Sequence, residues 1–526
     1  MHTRMFNKSI QKLKDQPFVA PLLMGVYPVL ALLAANISQI PLSEGVRALV
    51  VSFAGAGVIL FILALLLRNR EKAALLTALY VIIFFAYGHL YLFLERGGLF
   101  GLPLGRHRYL VPLTLAVIFG AGWGVWRTRR NLSGVVRTIN LIAVLLVVFP
   151  VVQMSYTGIR YAMLQIGNNP ASRALASAGG ETPPDIYYIL LDGYPRADIL
   201  RTTFNYDNQE FLDFLTSKGF YVASCSQSNY SLTISSMASV FNMKYIHEEM
   251  PQGIQLPDPL VMETLVKNSE VQALVEAAGY TTVNFEMNYH FIKWLHADRY
   301  LSPLDSSMSQ YMLQTGLNEF ELLLVKTSAA LIFFDVKVTS IENQTVDLQS
   351  VLEVNPRRVH RERMEFAFDT LVRIPETIPG PKFVYAHLVS PHPPYIFDAE
   401  GNFVENEQPA SEEMTAYRDQ VIYLNTRVGE VVNALLTLST QPPIIILQSD
   451  HGALIDYVGN DVNKYEKIAN FSAFFFPGQD YSRLYSTFTP VNIFRTVFNQ
   501  FFGGNFELLE DQSYYDAEAV QLPCSE

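Results

Sequence analysis

Three short segments, far apart in the chain, carry side chains that can bind a metal ion. Asp192 follows one apolar run, His392 follows a second, and the adjacent Asp450 and His451 follow a third. Carboxylate oxygens and imidazole nitrogens suit Zn or Mn better than a metal that prefers thiolate ligands. The residue types therefore predict a site for a divalent cation, provided that the fold brings the three segments together.

The apolar runs before these residues predict the elements that position them. Each run is almost continuously apolar or aromatic, which is typical of a strand covered by helices on both faces. In open α/β sheets, ligands bind beyond the carboxyl ends of the strands. We therefore expect an α/β domain with a largely parallel central sheet and helices on both faces, in which three strand ends converge. The runs are Ile186 to Leu191, Phe383 to Val389 and Ile444 to Leu447.

Each segment on its own also fits an ordinary structural role. Asp192 with Gly193 is a common turn pair, because Gly adopts positive φ and Asp caps the turn. A histidine between prolines can simply pack, and Asp450 can be the N-cap of a following helix. It is the coincidence of all three at predicted strand ends that favours a metal site.

A hydroxyl-rich stretch, Ser228 to Ser239, lies between the first two segments and reads as the start of a helix. A hydroxyl at such a position can be bound and activated by a metal, and the positive end of the helix favours an attacked anion. The alternative is a plain Ser/Thr capping segment. The stretch is therefore a candidate source of a nucleophile.

The first part of the chain differs in composition from the rest. Of 526 residues with a net charge of -11, residues 1–160 contain 16 Lys and Arg against four acidic residues, and the remainder contains 22 against 45. An acidic rear part makes nucleic acid an unsuitable partner. The front part holds five uncharged apolar runs, each long enough to cross a bilayer. These runs are about residues 18–38, 48–67, 73–94, 109–126 and 138–156.

The basic residues between the runs predict the orientation in the membrane. Lys and Arg are concentrated before the first run, between the second and third, and between the fourth and fifth, so these segments are expected in the cytoplasm. Five crossings then leave the rear part outside. We predict a multi-pass protein of the cell membrane with a cytoplasmic N-terminus and three parts: transmembrane helices in 1–160, a linker in 161–184 and an extracytoplasmic catalytic domain in 185–526.

In order along the chain, the rear part resembles the alkaline phosphatase superfamily. The resemblance is to its sulfatase-like, membrane-anchored branch, which includes lipoteichoic acid synthases and phosphoethanolamine transferases. It covers nearly all of the rear part. The matching pieces are Pro184 to Gly193, Ser228 to Tyr230 with Thr233, His387 to Tyr395, Tyr423 with Asn425, and Ser449 to Gly452.

This resemblance implies the role of each candidate residue. Asp192, Asp450, His451 and Thr233 would bind one divalent metal ion, with Mn or Zn expected first and Mg or Ca as further options. Thr233 would also be the nucleophile that forms a covalent intermediate. His392 and His387 would contact oxygens of the substrate. The implied activity is a phosphoryl-type hydrolase or transferase acting on a phosphate ester of lipid or cell-envelope origin.

Some positions depart from the patterns of the family. Sulfatases carry a modified Cys or Ser as the first residue of a C/S-x-P/A-S-R motif. In this chain Cys225 is followed by Ser-Gln-Ser, without the Pro or the Arg. His451 is the last histidine, which leaves none downstream for a second metal. A sulfuric ester hydrolase and an inactive envelope assembly or binding protein stay as alternatives. The expected partners are the lipid bilayer and an anionic phosphate or sulfate ester, and the oligomeric state is left open.

Overall fold

The protein is represented by a computed structural model. It describes residues 16–37, 40, 42–97, 106–167, 183–248, 259–287, 289, 291, 293–294, 297–303, 316–334, 338–339, 345–346, 355–453, 466–515 and 518–521. The chain forms two compact units. The helical unit comprises Met1–Arg160 and Gln310–Val354, and the sheet unit comprises Tyr161–Ser309 and Asn355–Glu526.

Residues 310–354 fall within the catalytic domain that the sequence predicts, and they are grouped with the helical unit in this division. Of them, the described segment 316–334 contacts the membrane helices. Most of the predicted linker 161–184 lies outside the described residues.

The helices are numbered here in chain order. They are α1 Val19–Ala35, α2 Val46–Leu67, α3 Arg70–Gly97, α4 His107–Arg127, α5 Ser133–Gly167, α6 Ala197–Thr202, α7 Gln209–Ser217, α8 Thr233–Asn242, α9 Pro259–Lys267, α10 Glu270–Ala277, α11 Glu319–Lys326, α12 Leu331–Phe334, α13 Pro356–Thr377, α14 Glu413–Leu438 and α15 Ile493–Phe501.

The strands are numbered in the same way. They are β1 Ile186–Leu191, β2 Tyr221–Val222, β3 Thr281–Phe285, β4 Arg299–Leu301, β5 Val338–Thr339, β6 Thr345–Val346, β7 Lys382–Leu388, β8 Ile444–Gln448, β9 Ser472–Phe475, β10 Ser513–Tyr515 and β11 Glu518–Val520.

The helical unit contains the predicted transmembrane bundle. Helices α2 to α5 are long and apolar enough to cross a membrane, and α1 is a shorter apolar helix of 17 residues. Only 6% of the most apolar window is buried in α2 and in α4, so most side chains of these helices face outward. An apolar outer surface of this kind is stable only against lipid. The expected N-terminal bundle of membrane helices is confirmed, with four described helices long enough to cross a membrane and a fifth, α1, that is shorter.

The sheet unit is built on one seven-stranded sheet in the order β2-β9-β8-β1-β7-β3-β4. Strand β1 pairs in parallel with both β7 and β8, and β3 continues the parallel part on the far side of β7. Strand β9 is antiparallel to β8 and to β2. The predicted α/β domain with a largely parallel sheet is therefore confirmed.

The strand register brings the carboxyl ends of the three central strands to one edge. Leu191 at the end of β1 is aligned with Leu388 on β7, and Leu190 is aligned with Gln448 on β8. Alternate residues of β1 enter two separate buried clusters, one containing Met364 of α13 and the other Phe494 of α15. This two-sided burial explains why the strands are continuously apolar.

Candidate metal site

Three side chains that follow the strand ends meet at the carboxyl edge of the sheet. Asp192 follows β1, and Asp450 and His451 follow β8. One ligand atom from each lies within 4.8 Å of the others, and all three residues are buried. The Nε2 atom of His451 is 3.2 Å from an Asp450 oxygen and 3.8 Å from an Asp192 oxygen. The three residues thus surround a small space with two oxygens and one nitrogen.

The bonding of these atoms fits a metal cation. Within the described part of the chain, Asp192 Oδ1 and Asp450 Oδ2 are buried without a hydrogen-bond partner, which is costly for a carboxylate. The Nδ1 atom of His451 is 2.8 Å from the carbonyl oxygen of Gly452 and must donate to it. The lone pair of His451 is therefore on Nε2, which faces both carboxylates. Two free carboxylate oxygens and one imidazole lone pair form a suitable donor set for a divalent ion.

Two glycines allow the chain to form this site. Gly193 has φ of +74°, so the chain turns sharply after Asp192, and its N–H donates to Asp450 Oδ1 over 3.1 Å. At Gly452, an added Cβ would lie 1.9 Å from the carbonyl oxygen of Glu466, so the backbone itself fills that space. The Asp-Gly and Asp-His-Gly motifs therefore have a structural role in addition to carrying the candidate ligands.

Thr233 is the first residue of α8 and lies beside these groups. Its Oγ1 atom is 3.2 Å from Nε2 of His451, and its side chain is partly buried. One turn further along the helix, Ser236 Oγ donates to the carbonyl oxygen of Asp450 over 2.7 Å. The hydroxyl of Thr233 is thus held at the positive end of a ten-residue helix that is tied to the Asp450 loop.

His387 is buried next to Asp192 and has both ring nitrogens engaged by protein groups. Nε2 is 3.0 Å from Asp192 Oδ2, and Nδ1 is 3.2 Å from the hydroxyl of Tyr385. Burial by itself raises the pKa of Asp192, but the hydrogen bond from His387 and the favourable electrostatic interactions with the neighbouring imidazole rings outweigh it and hold the pKa below its ordinary value. These contacts favour a positioning role for His387, in which it fixes the Asp192 carboxylate.

His392 lies on the loop after β7 and is only partly buried. Its backbone N–H donates to the carbonyl oxygen of Asp192 over 3.0 Å, so the loop is fixed to the Asp192–Gly193 turn. The Nδ1 atom donates to the carbonyl oxygen of Pro393 over 2.7 Å, and Nε2 is 3.2 Å from the hydroxyl of Tyr289. The ring therefore borders the site from its more accessible side.

Helix α14 supplies positioning residues that the sequence did not single out. Gln420 is fully buried, accepts a hydrogen bond from the N–H of Ile396 and donates to the carbonyl oxygen of Pro391. It thereby holds both ends of the loop that carries His392. Tyr417 donates to the carbonyl oxygen of Gly193 over 2.8 Å. Neither Gln420 nor Tyr417 belongs to a recognisable sequence motif. The sequence therefore predicts the helix that carries them but not their positioning role.

Asn425, which was part of the resemblance, also acts from α14. Its Oδ1 accepts from the hydroxyl of Tyr194 over 2.6 Å, and its Nδ2 donates to Asn208 over 2.8 Å. Tyr194 follows directly after the Asp192–Gly193 turn. The buried hydrogen-bond network therefore stabilises the chain directly after the Asp192–Gly193 turn.

The fold and the site define a class of enzyme. A parallel sheet that presents Asp and His ligands at its carboxyl edge, beside a hydroxyl on a helix N-terminus, is the arrangement of a metal-dependent ester hydrolase or transferase. Residues 184–499 match the model of the Sulfatase family, and the chain belongs to this family. The resemblance to the alkaline phosphatase and sulfatase superfamily is thereby confirmed.

Several solved structures are similar to this chain. They include the C-terminal periplasmic domain of EcEptC from Escherichia coli, with 12% identity over 63% of this chain and 86% of that chain and a TM-score of 0.39. The corresponding domain of phosphoethanolamine transferase EptC from Campylobacter jejuni has 10% identity over 62% and 91%, with a TM-score of 0.37. The integral membrane protein lipooligosaccharide phosphoethanolamine transferase A from Neisseria meningitidis has 11% identity over 92% and 95%, with a TM-score of 0.37. No curated protein matches the chain.

Proposed function

We propose that this protein transfers a phosphoryl-type group from a phosphate ester of lipid or cell-envelope origin, with Thr233 as the nucleophile. The observation that carries the proposal is the position of Thr233 Oγ1, 3.2 Å from His451 Nε2. The same space borders the two carboxylate oxygens that lack a hydrogen-bond partner among the described residues. A hydroxyl in this position can be activated and can attack an anionic ester held at the helix N-terminus.

One divalent cation, Mn or Zn in the first place, fits between Asp192, Asp450, His451 and Thr233. When bound, it would lower the pKa of a coordinated hydroxyl and neutralise negative charge on the transferring group. Mg and Ca are less suitable, because His451 contributes a nitrogen and both prefer oxygen ligands.

The side chains of this protein divide the remaining tasks. Thr233 Oγ1 forms a bond to phosphorus while the ester bond to the leaving alcohol breaks. The hydroxyl proton of the threonine ends on that alcohol, so this half-reaction neither gains nor loses protons. We assign to His392 the contact with non-bridging oxygens, because its ring is partly accessible and lies beside the metal-binding turn. His387 keeps Asp192 ionised and correctly oriented.

The proposal includes a location for the reaction. The helices that can cross a membrane place the enzyme next to lipid, where a lipid or envelope ester is available. We propose that the sheet unit is extracytoplasmic. The support is the set of basic residues between α4 and α5, which is expected in the cytoplasm. These residues are Arg127, Arg129, Arg130 and Arg137.

The test compares esters and variants of the purified full-length protein. We expect turnover of bis(4-nitrophenyl) phosphate that is lost with a chelator and restored by Mn or Zn. Thr233→Ala should lower kcat/KM by at least about a thousandfold, as removal of a nucleophile usually does. Thr233→Ser should keep part of the activity. After a rapid quench, mass spectrometry should find the transferred group on the peptide that contains Thr233.

Thr216→Ala is the matched control, because Thr216 is an exposed helical threonine on α7 whose hydroxyl bonds only its own helix backbone. It should leave turnover unchanged. Activity that survives both chelation and Thr233→Ala would exclude the proposed nucleophile. Faster turnover of 4-nitrophenyl sulfate than of the matched phosphate would instead assign the protein as a sulfuric ester hydrolase.

A further inference from the structure

The segment 316–334 of the helical unit is fastened to the ends of the first membrane helices. The Nδ2 group of Asn318 donates to the carbonyl oxygen of Glu44 over 3.0 Å, and Arg47 pairs with both carboxylate oxygens of Glu321. Phe320 is completely buried in a cluster with Val29 of α1. Helix α11 is therefore anchored at its N-terminal end by ionic, polar and apolar contacts.

The same segment then continues along α3 toward the middle of the membrane span. A Cβ added at Gly88 would lie 2.3 Å from the backbone of Thr327, so the two backbones touch at this glycine. The N–H of Ala329 donates to the carbonyl oxygen of Phe84 over 2.7 Å. Glu95 is the first charged residue after this span. Along the axis of α3, Gly88 lies about 10 Å before Glu95 and Phe84 lies about 16 Å before it.

A backbone N–H at that depth needs a protein partner, because the hydrocarbon region offers no water. The bond from Ala329 to Phe84 supplies one. The segment 327–334, called the re-entrant element below, therefore lies against the apolar middle of α3.

A groove lies where this element meets the membrane helices. Its volume is about 540 Å³, and its walls come from α2, α3, α4 and the residues around α12. The lining is almost entirely apolar. It includes Val51, Gly55, Tyr80, Phe84, Leu115 and Ile332.

The surroundings of the groove point to its occupant. Val51 is 65% exposed and Phe333 is 73% exposed, so the walls run into the lipid-facing surface of the helices. A phospholipid acyl chain matches this site, because the walls are apolar and continuous with the surface that faces the bilayer.

We propose that the groove is a binding site for one membrane phospholipid, with one acyl chain held between α2, α3, α4 and the re-entrant element. The site lies entirely within the helical unit. It does not depend on the reaction at Thr233.

The groove can be filled by a single substitution. Gly55 lines the groove, and a Cβ added there meets no atom within 4 Å, so Gly55→Leu places a side chain in the groove. Gly124→Leu is the matched control, because Gly124 lies on α4, has equally open surroundings and does not line the groove. A leucine that displaces two methylene groups of the acyl chain should weaken binding about tenfold.

The experiment uses the full-length protein in detergent with a phosphatidylethanolamine that carries a diazirine in one acyl chain. After irradiation, labelled peptides are identified by mass spectrometry. We expect saturable labelling of residues 51–59 and 80–87 at about one lipid per protein, competed by unlabelled phospholipid. Gly55→Leu should reduce this labelling about tenfold at a subsaturating concentration, and Gly124→Leu should not change it.

Labelling that never saturates, or that Gly55→Leu leaves unchanged, would overturn the proposal. Cross-linking of the groove to a second copy of the chain in place of lipid would also overturn it. Circular dichroism and the melting temperature of both variants establish that a loss of labelling reflects the groove rather than unfolding. The activity of the sheet unit is measured in parallel, so failure of this proposal is distinguishable from failure of the proposed reaction.

Discussion

Without a bound cation, the two carboxylates of the metal site should destabilise the folded protein. The facing oxygens of Asp192 and Asp450 are both buried and lie within 4.8 Å of each other. At an effective dielectric constant of about 20, two unit charges at this distance repel by about 3.5 kcal/mol. The hydrogen bond from His387 and the attraction of the nearby histidines offset part of this repulsion at Asp192, so the value is an upper limit. Asp450→Asn removes one charge and replaces its unpaired oxygen with an N–H group that can donate to Asp192. The other oxygen still accepts from Gly193.

We therefore expect Asp450→Asn to stabilise the metal-free protein by up to about 3 kcal/mol and to abolish activity. Because one kcal/mol changes the melting temperature of a large domain by about 2 to 4 °C, the increase in chelator should be up to about 6 to 12 °C. The wild type should gain stability when Mn or Zn is added, and the variant should gain much less. The measurement is thermal unfolding of the full-length protein with chelator and with metal.

Asp213→Asn is the control for the general effect of removing an acid, since Asp213 is exposed on α7 and should change stability by less than about 0.5 kcal/mol. The reasoning fails if Asp450→Asn destabilises the metal-free protein. It also fails if the variant and the wild type gain equal stability from the added metal.

Two further predictions concern the pH dependence of stability and the re-entrant element. Burial lowers the pKa of His360 to about 4, whereas the unfolded value is near 6.5. The contribution of neutral His360 to the free energy of unfolding is therefore fully present well above pH 6.5 and is lost as the pH decreases toward 4. Between pH 7.5 and 5, this loss is about 2 kcal/mol. Chemical denaturation should show that His360→Gln no longer has this dependence of the unfolding free energy on pH. The same dependence in the variant and the wild type would contradict this prediction. Gly88→Ala should lower the melting temperature by several degrees, because the added Cβ meets the backbone of Thr327. Gly120→Ala, with open surroundings, should lower it by less than about 1 °C. Equal changes in the two variants would refute the contact between Gly88 and Thr327.

The sequence predicted the parts of the site that local patterns control. Asp192, Asp450 and His451 each follow a strongly apolar strand, and parallel strands place their carboxyl ends at one edge. The role of His387 was not predictable in this way. Its contact with Asp192 depends on the register between β1 and β7, which aligns Leu190 with His387 and leaves no signal in either strand alone.

The position of residues 310–354 was also not predictable from local patterns. Their contacts with the membrane helices join residues about 240 to 270 positions apart, as in the bond from Ala329 to Phe84 and the pair of Arg47 with Glu321. The close approach at Gly88 uses backbone atoms and the absence of a side chain. A backbone contact and a missing side chain do not produce a periodic pattern of hydrophobic residues. The sequence alone therefore gives no reason to separate this segment from the catalytic domain.

The first turn of α8 has a consequence for how this enzyme can change over evolutionary time. Thr233 and Ser236 are three residues apart and lie on one side of the helix, where the first faces the metal ligands and the second holds the Asp450 loop. The residue that anchors the helix is thus separate from the proposed nucleophile. Exchange of the proposed nucleophile for another hydroxyl or a thiol would therefore leave Asp192, Asp450 and His451 in place, so new reactivity can arise without rebuilding the rest of the site.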